Sequence, residues 1–116
     1  MNYLMVFIGG GFGSLLRYFI GTTVQFTGLK LPIATLVSNV IACLIFAISL
    51  NAILGKPNEN TLKLLILTGF CGGLSTFSTF GYENYLLLKQ QQYFWIIANI
   101  AVTLFLCISG FFIIKK

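Results

Sequence analysis

Gly69-Phe70-Cys71-Gly72-Gly73-Leu74-Ser75-Thr76-Phe77-Ser78-Thr79-Phe80 is a run of glycines, hydroxyl residues and phenylalanines in the middle of an otherwise apolar segment. Glycine and serine disfavour a helix interior. Backbone groups that leave a helix at bilayer depth are costly unless protein, water or an ion satisfies them, and broken membrane helices therefore often carry binding sites. This stretch predicts a transmembrane helix that is broken near its middle.

The composition places this stretch in a membrane protein. Of the 116 residues, 58% are hydrophobic and 8% are charged, whereas soluble domains have about 25% charged residues. Crossing a bilayer takes about 20 mostly apolar residues, and four such spans are present, roughly 3–26, 32–54, 61–88 and 93–114. We therefore predict an all-α membrane protein with four transmembrane helices that form a single domain over residues 1–116.

The net charge of +5 resides mainly in lysines near the span ends. Lysines there extend to the membrane interface, so we expect no nucleic-acid patch. One side of the membrane receives Lys56, Lys63, Lys115 and Lys116, and the other receives Lys30 and Lys89. Cytoplasmic loops collect lysine and arginine. The small excess favours cytoplasmic termini, yet it is weak enough to permit insertion in both orientations and an antiparallel dimer of identical subunits.

Several residue types that enzymes need are missing. The sequence contains no histidine, and Cys43, Cys71 and Cys107 lie far apart without metal-ligand spacing. The only acids are Glu59, in a loop, and Glu83, so no carboxylate pair is available for acid and base catalysis. We therefore predict that the protein is not an enzyme.

Polar side chains form two stripes within the apolar spans. Thr35 and Asn39 lie four residues apart in the second span, and Asn99, Thr103 and Cys107 repeat this spacing in the fourth. Such residues share one face of a helix. By themselves the stripes are equally consistent with hydrogen bonds between helices, but together with a broken third span they favour the lining of a path.

The break itself offers a place for a small cation. If the chain unwinds near Gly72 to Ser75 and resumes as a helix around Phe77, backbone carbonyls are released from helical hydrogen bonds. Carbonyls freed in this way coordinate small cations in other discontinuous membrane helices. No side-chain carboxylate is needed for such a site.

The residues after the break suit a small anion. Phe77 and Phe80 lie three residues apart and share a helix face. The edge of a phenyl ring is positive, so rings presented edge-on stabilise a passing anion without trapping it. The hydroxyls of Ser78 and Thr79 and the amide of Asn39 can replace lost hydration. The pattern predicts a narrow pore for a small anion that hydrogen bonds strongly.

Four segments, one in each span, carry a resemblance to a known family. They are Gly9-Gly10-x-x-Gly13-x-x-x-Arg17-Tyr18, Thr35-Leu36-x-x-Asn39, the stretch Gly69 to Phe80 with Glu83, and Asn99-x-x-x-Thr103. The chain resembles the Fluc (CrcB) family of fluoride channels over essentially its whole length. The resemblance implies an antiparallel, dual-topology dimer with two pores, passive fluoride export across the cell (plasma) membrane that relieves fluoride toxicity, and a structural sodium ion at the dimer centre.

The resemblance also implies roles for individual residues. Phe77 and Phe80 match the pore phenylalanines, and Asn39 matches an asparagine that helps to place them. The backbone carbonyls of Gly72 and Ser75 match the sodium ligands. The remaining matches are the pore and polar-track positions Thr35, Ser78, Thr79, Asn99 and Thr103 and the vestibule positions Arg17 and Glu83. The last two are also explained as an interfacial anchor and a structural hydrogen-bond partner.

The sequence departs from the family pattern at a few positions. Ser75 stands where threonine is usual, Asn99 stands where some members have tyrosine, and Val37-Ser38-Asn39 replaces a more apolar lead into the asparagine. The alternatives are a partner subunit of a heterodimeric fluoride channel, a small multidrug-type transporter, and a membrane assembly subunit. The transporter needs a carboxylate that the first span lacks, and an assembly subunit has no need for paired phenylalanines.

Overall fold

A computed structural model describes residues 2–28 and 32–114. All regular secondary structure in these ranges is helical. In chain order the elements are α1 (Asn2–Gln25), α2 (Ile33–Ile53), α3 (Glu59–Leu62), a π-helical segment (Lys63–Cys71), α4 (Gly72–Leu74), α5 (Phe77–Lys89) and α6 (Tyr93–Ile114). The elements from α3 to α5 together form the third span.

Four helices in the described ranges are long and apolar enough to cross a membrane. They run Asn2–Gln25, Ile33–Ile53, Glu59–Lys89 and Tyr93–Ile113 and contain 24, 21, 31 and 21 residues. Each therefore reaches the length of about 20 residues that the hydrocarbon core requires. The prediction of an all-α fold with four transmembrane helices is confirmed, and the chain is a multi-pass membrane protein.

Glu59, the first residue of α3, holds the loop that precedes the third span. The carboxylate of Glu59 accepts the Gly55 N–H at 3.1 Å and pairs with Lys63 Nζ at 2.8 Å. Lys63 lies in the first turns of the third span, and its ammonium group pairs with the carboxylate one helical turn earlier. Three lysines used for the predicted topology lie outside the described residues: Lys30, Lys115 and Lys116.

Glycines bring α1 into backbone contact with the third span. Gly9 and Gly13 are the buried residues of α1. A Cβ at Gly9 would collide with the Leu65 carbonyl, and one at Gly13 would collide with the Phe70 carbonyl. Small residues permit this close approach of membrane helices, so α1 lies directly on the backbone of the third span.

α6 packs on α2 through aromatic and small residues. The rings of Phe46 and Phe111 form an edge-on pair with centroids 5.8 Å apart. One residue earlier on α6, Gly110 admits the Leu44 side chain, whose Cδ2 atom would lie 3.0 Å from an added Cβ. α2 therefore lies between α6 on one side and α1 with the third span on the other.

Ser75 and Thr76 separate α4 from α5 near the middle of the third span. Leu74, the last residue of α4, is completely buried. Ser75 has φ −80° and ψ 158°, and Thr76 has φ −150° and ψ 121°, both extended, before Phe77 begins α5. The Ser75 N–H still donates to the Cys71 carbonyl at 3.0 Å, so the Thr76 N–H is the first backbone donor that needs a partner outside the helix.

Gly13→Ala should lower the free energy of unfolding by about 1–3 kcal/mol, the usual cost of overpacking, because the new methyl group meets the Phe70 backbone. Thermal unfolding in detergent measures the effect. Gly11→Ala is the matched control, since a Cβ at Gly11 meets nothing within 4 Å. Equal unfolding temperatures for the two variants would contradict the packing described for α1.

Candidate functional site

An asparagine of α2 satisfies the extended backbone of the third span. The Asn39 Oδ1 atom accepts the Thr76 N–H at 2.8 Å, and the Asn39 Nδ2 group donates to the Thr76 carbonyl at 3.4 Å. The side-chain amide thus replaces the helical partner of the Thr76 N–H and adds a second donor to the Thr76 carbonyl, which already accepts the first hydrogen bond of α5. Asn39 positions the start of α5 relative to α2.

The hydroxyl of Thr76 caps the helix that follows. Its Oγ1 atom accepts the Thr79 N–H at 3.1 Å and lies 3.3 Å from Ser78 Oγ. Threonine is a favoured residue at this position because its side chain satisfies an N–H group that has no helical partner. The first turn of α5 is therefore fixed by Thr76.

These two hydrogen bonds to side chains leave two backbone carbonyl groups without their helical donors. In an uninterrupted α-helix the N–H of Thr76 would bond to the Gly72 carbonyl and the N–H of Thr79 would bond to the Ser75 carbonyl. Instead, those N–H groups donate to Asn39 and to the Thr76 hydroxyl. The carbonyl oxygens of Gly72 and Ser75 are thereby free of their usual donors. They are among the backbone atoms in this region that can coordinate a cation; the Leu74 carbonyl likewise lacks a helical donor, and the Gly73 carbonyl accepts from Arg17.

A polar cavity of about 420 Å³, the vestibule cavity, lies between α1, α2 and α5. Its polar lining includes Arg17, Thr22, Gln25, Thr35, Ser38, Thr76, Thr79 and Glu83. Thr35 Oγ1 donates to Glu83 Oε2 at 2.8 Å, and Arg17 Nε donates to the Gly73 carbonyl at 3.0 Å. The one ion pair found in the described ranges joins Lys63 to Glu59 at the start of the third span. The positive and negative groups of the cavity are therefore not paired with each other.

Two phenylalanines lie at the start of α5. The Phe77 side chain is 84% exposed, and its ring centroid is 6.2 Å from that of the half-buried Phe80, with the planes inclined by 45°. Ser78, between them, is also exposed. An aromatic pair with a hydroxyl beside it thus faces outward from the chain.

The polar residues of α6 form a separate cluster. Asn99 Nδ2 donates to Asn84 Oδ1 at 2.8 Å, and the buried Thr103 donates to Asn99 Oδ1 at 3.5 Å. Asn99 also borders a largely apolar cavity of about 180 Å³. This cluster joins α6 to α5 and does not line the vestibule cavity.

Comparison with known proteins establishes the family. The family model described as CrcB-like protein, Camphor Resistance (CrcB), matches residues 4–114. The chain belongs to the CrcB family. The resemblance seen in the sequence is thereby confirmed over almost the whole chain.

Curated CrcB relatives named "Fluoride-specific ion channel FluC" align along most of their length. The Serratia proteamaculans protein is 42% identical over 105 residues, covering 89% of this chain and 82% of its own. The Escherichia coli O1:K1 protein is 41% identical over 114 residues, covering 94% and 90%. The Pyrococcus abyssi protein is 36% identical over 118 residues, covering 97% and 95%. These names denote channels, so the family is not one of enzymes.

Within this CrcB chain the structure brings together only part of the predicted site. Four of the predicted residues line the vestibule cavity: Arg17, Thr35, Thr79 and Glu83. Asn39 adjoins it through Thr76. The predicted residues that lie elsewhere are Phe77, Ser78 and Phe80 at the start of α5 and Asn99 and Thr103 in the α6 cluster.

Two residues of these clusters, Thr76 and Asn84, were not predicted from the sequence as site residues. Thr76 lies inside the stretch that identifies the break, and a threonine directly before a helix is a recognisable cap. Asn84 has the same signal as Asn39, an amide within an apolar span, but its partner on another helix is not visible in the sequence. In the described ranges no group of three His, Cys, Asp or Glu side chains is arranged to hold a metal ion.

Asn39→Leu should lower the free energy of unfolding by about 1–3 kcal/mol, because it leaves the Thr76 N–H without a partner. The unfolding temperature in detergent is the measurement. Asn51→Leu, at an exposed position of the same helix, is the matched control. The structural role of Asn39 is refuted if its variant is as stable as the control.

Proposed function

We propose that this chain is a fluoride-selective channel that lets fluoride leave the cytoplasm passively across the plasma membrane and so relieves fluoride toxicity. The observation that carries the proposal is the outward-facing pair of Phe77 and Phe80 with Ser78 beside it, at the start of a helix in the third span. Membership of the CrcB family, with relatives named fluoride-specific channels, supports it.

The chemistry of the pair fits fluoride. Fluoride is small and accepts strong hydrogen bonds, so it needs donors that replace its hydration. Ser78 and Thr79 supply hydroxyls, and the positive edges of Phe77 and Phe80 stabilise an anion without binding it tightly. Asn39 acts by fixing where α5 begins. A fixed lysine in this place would hold the ion and slow its release.

The remaining polar residues extend the proposed path. Thr35 and Glu83 line the vestibule cavity together with Arg17, whose charge attracts an anion to the entrance. Asn99 and Thr103 present an amide and a hydroxyl on α6. We assign them to the polar track of the pore.

We further propose that two copies pair in antiparallel orientation. Hydrocarbon offers no hydrogen-bond partner to a polar side chain, and Ser78, whose hydroxyl contacts only that of Thr76 among the described residues, is exposed on the isolated chain. A second copy that covers Phe77 and Ser78 would turn this surface into a pore wall. The small difference in lysine count between the two sides supports dual topology.

A sodium ion fits the backbone carbonyls that lose their helical donors where the helix is interrupted at Ser75-Thr76. The Gly72 and Ser75 oxygens lack their usual helical donors because Asn39 and Thr76 hold those N–H groups. Carbonyls of unwound membrane helices are suitable sodium ligands. In this proposal the third helix is broken at Ser75-Thr76, each subunit contributes two carbonyls, and the ion joins the dimer at its centre.

Fluoride efflux from liposomes that contain only this purified chain tests the function, with chloride as the control ion. Wild type should release fluoride and retain chloride. Phe80→Ile should slow fluoride efflux by at least about tenfold, equivalent to about 1.4 kcal/mol at the barrier, because it removes the aromatic edge and keeps much of the bulk. Phe105→Ile, at a 70% exposed position of α6, is the matched control.

The outcomes separate the alternatives. Undiminished efflux in Phe80→Ile would remove the aromatic argument. A folded wild-type chain that releases no fluoride alone, but does so beside a related chain, would establish a heterodimer in place of the homodimer.

The sodium site is tested by stability in different salts. Sodium should raise the unfolding free energy relative to a large organic cation, by about 2.7 kcal/mol at about 100 times its dissociation constant. Thr76→Val should reduce this gain because it removes the hydroxyl that caps α5 and fixes the backbone next to the Ser75 carbonyl. Thr76→Ser keeps the cap and should retain the gain. If sodium stabilises the Thr76→Val and Thr76→Ser variants equally, the sodium site does not depend on the cap that Thr76 forms.

A further inference from the structure

Two buried polar atoms of the vestibule cavity have no hydrogen-bond partner among the described residues. They are the Oγ atom of Ser38 and the Oε1 atom of Glu83. Ser38 is 1% exposed, and both residues line the cavity. Polar groups buried in proteins are nearly always hydrogen-bonded. Each atom therefore needs a partner that the described side chains do not supply.

Ser38 and Glu83 line the cavity from α2 and α5, which the hydrogen bond between Thr35 and Glu83 joins. Thr35 precedes Ser38 by three residues on α2, so the two side chains share a helix face and are separated by about 4.5 Å along the axis. Thr35 already donates to the other oxygen of Glu83 at 2.8 Å. Ser38 is therefore one turn from a residue in direct contact with the carboxylate, which is a separation suited to a bridging molecule.

The chemistry of the two groups identifies that molecule. The Ser38 hydroxyl can donate a hydrogen bond, and an ionised Glu83 can only accept. A water molecule accepts from the first, donates to the second and keeps one O–H group. A cavity of about 420 Å³ is large enough for it.

We infer that Ser38 and Glu83 bind a bridging water in the vestibule cavity and that this water presents its remaining O–H to fluoride. The second part rests on the proposed function. A bare carboxylate on the path of an anion repels it, whereas a carboxylate that holds a water offers the anion a hydrogen-bond donor. Ser38 is then a positioning residue for this water, at a position where its hydroxyl has no structural partner.

Ser38→Ala tests the inference with two readouts. Fluoride efflux from liposomes should fall about fivefold, the worth of one net hydrogen bond, and the unfolding temperature should stay the same or fall. If Ser38 is merely an unpaired buried hydroxyl, its removal will raise the unfolding temperature and leave efflux unchanged, which overturns the inference. Ser109→Ala is the control, since the half-buried Ser109 donates only to its own helix, at Leu106 O.

A crystal structure that resolves ordered water tests the bridge without reference to transport. A water within hydrogen-bond distance of both Ser38 Oγ and Glu83 Oε1 supports the inference. A direct bond between the two residues, or each bonded to a different molecule, overturns it. Absence of fluoride efflux from wild type would refute the proposed function while leaving this readout of the water site intact.

Discussion

The structure depends on the rule that a backbone polar group in hydrocarbon must find its partner inside the protein. At Ser75-Thr76 the third span leaves the helical conformation. The Ser75 N–H still donates to the Cys71 carbonyl, and side chains bind the donors that follow. Asn39 binds both backbone groups of Thr76, and the Thr76 hydroxyl binds the Thr79 N–H. The Ser75 hydroxyl turns back to the Cys71 carbonyl at 2.9 Å. The interruption is therefore stabilised by a small set of fixed hydrogen bonds.

The rest of the site is arranged around that interruption. Gly9 and Gly13 bring α1 onto the third span, and Arg17 on the same helix reaches the Gly73 carbonyl. α2 approaches from the other side with Thr35 and Asn39. Three helices thus meet where the backbone is least regular, and the space left between them is the polar cavity.

The helical spans could be predicted from the sequence because apolar length alone specifies a transmembrane helix. The importance of residues 69–80 could be predicted because glycines and hydroxyl residues are unusual at that depth. The pairing of Asn39 with Thr76 could not, since spacing along α2 gives the face of the asparagine and not its partner. The pairing of Asn84 with Asn99 could not be predicted for the same reason, since the two residues lie on different helices. The π-helical turns of 63–71 leave no signal in a segment that is apolar on nearly every side.

The Asn39 bridge also bears on how the chain enters the membrane. A third span that inserts alone has no partner for the Thr76 N–H, because the amide that accepts from it belongs to α2. α2 precedes the third span in the chain. The interrupted segment therefore depends on an earlier part of the same chain to satisfy its backbone in the bilayer.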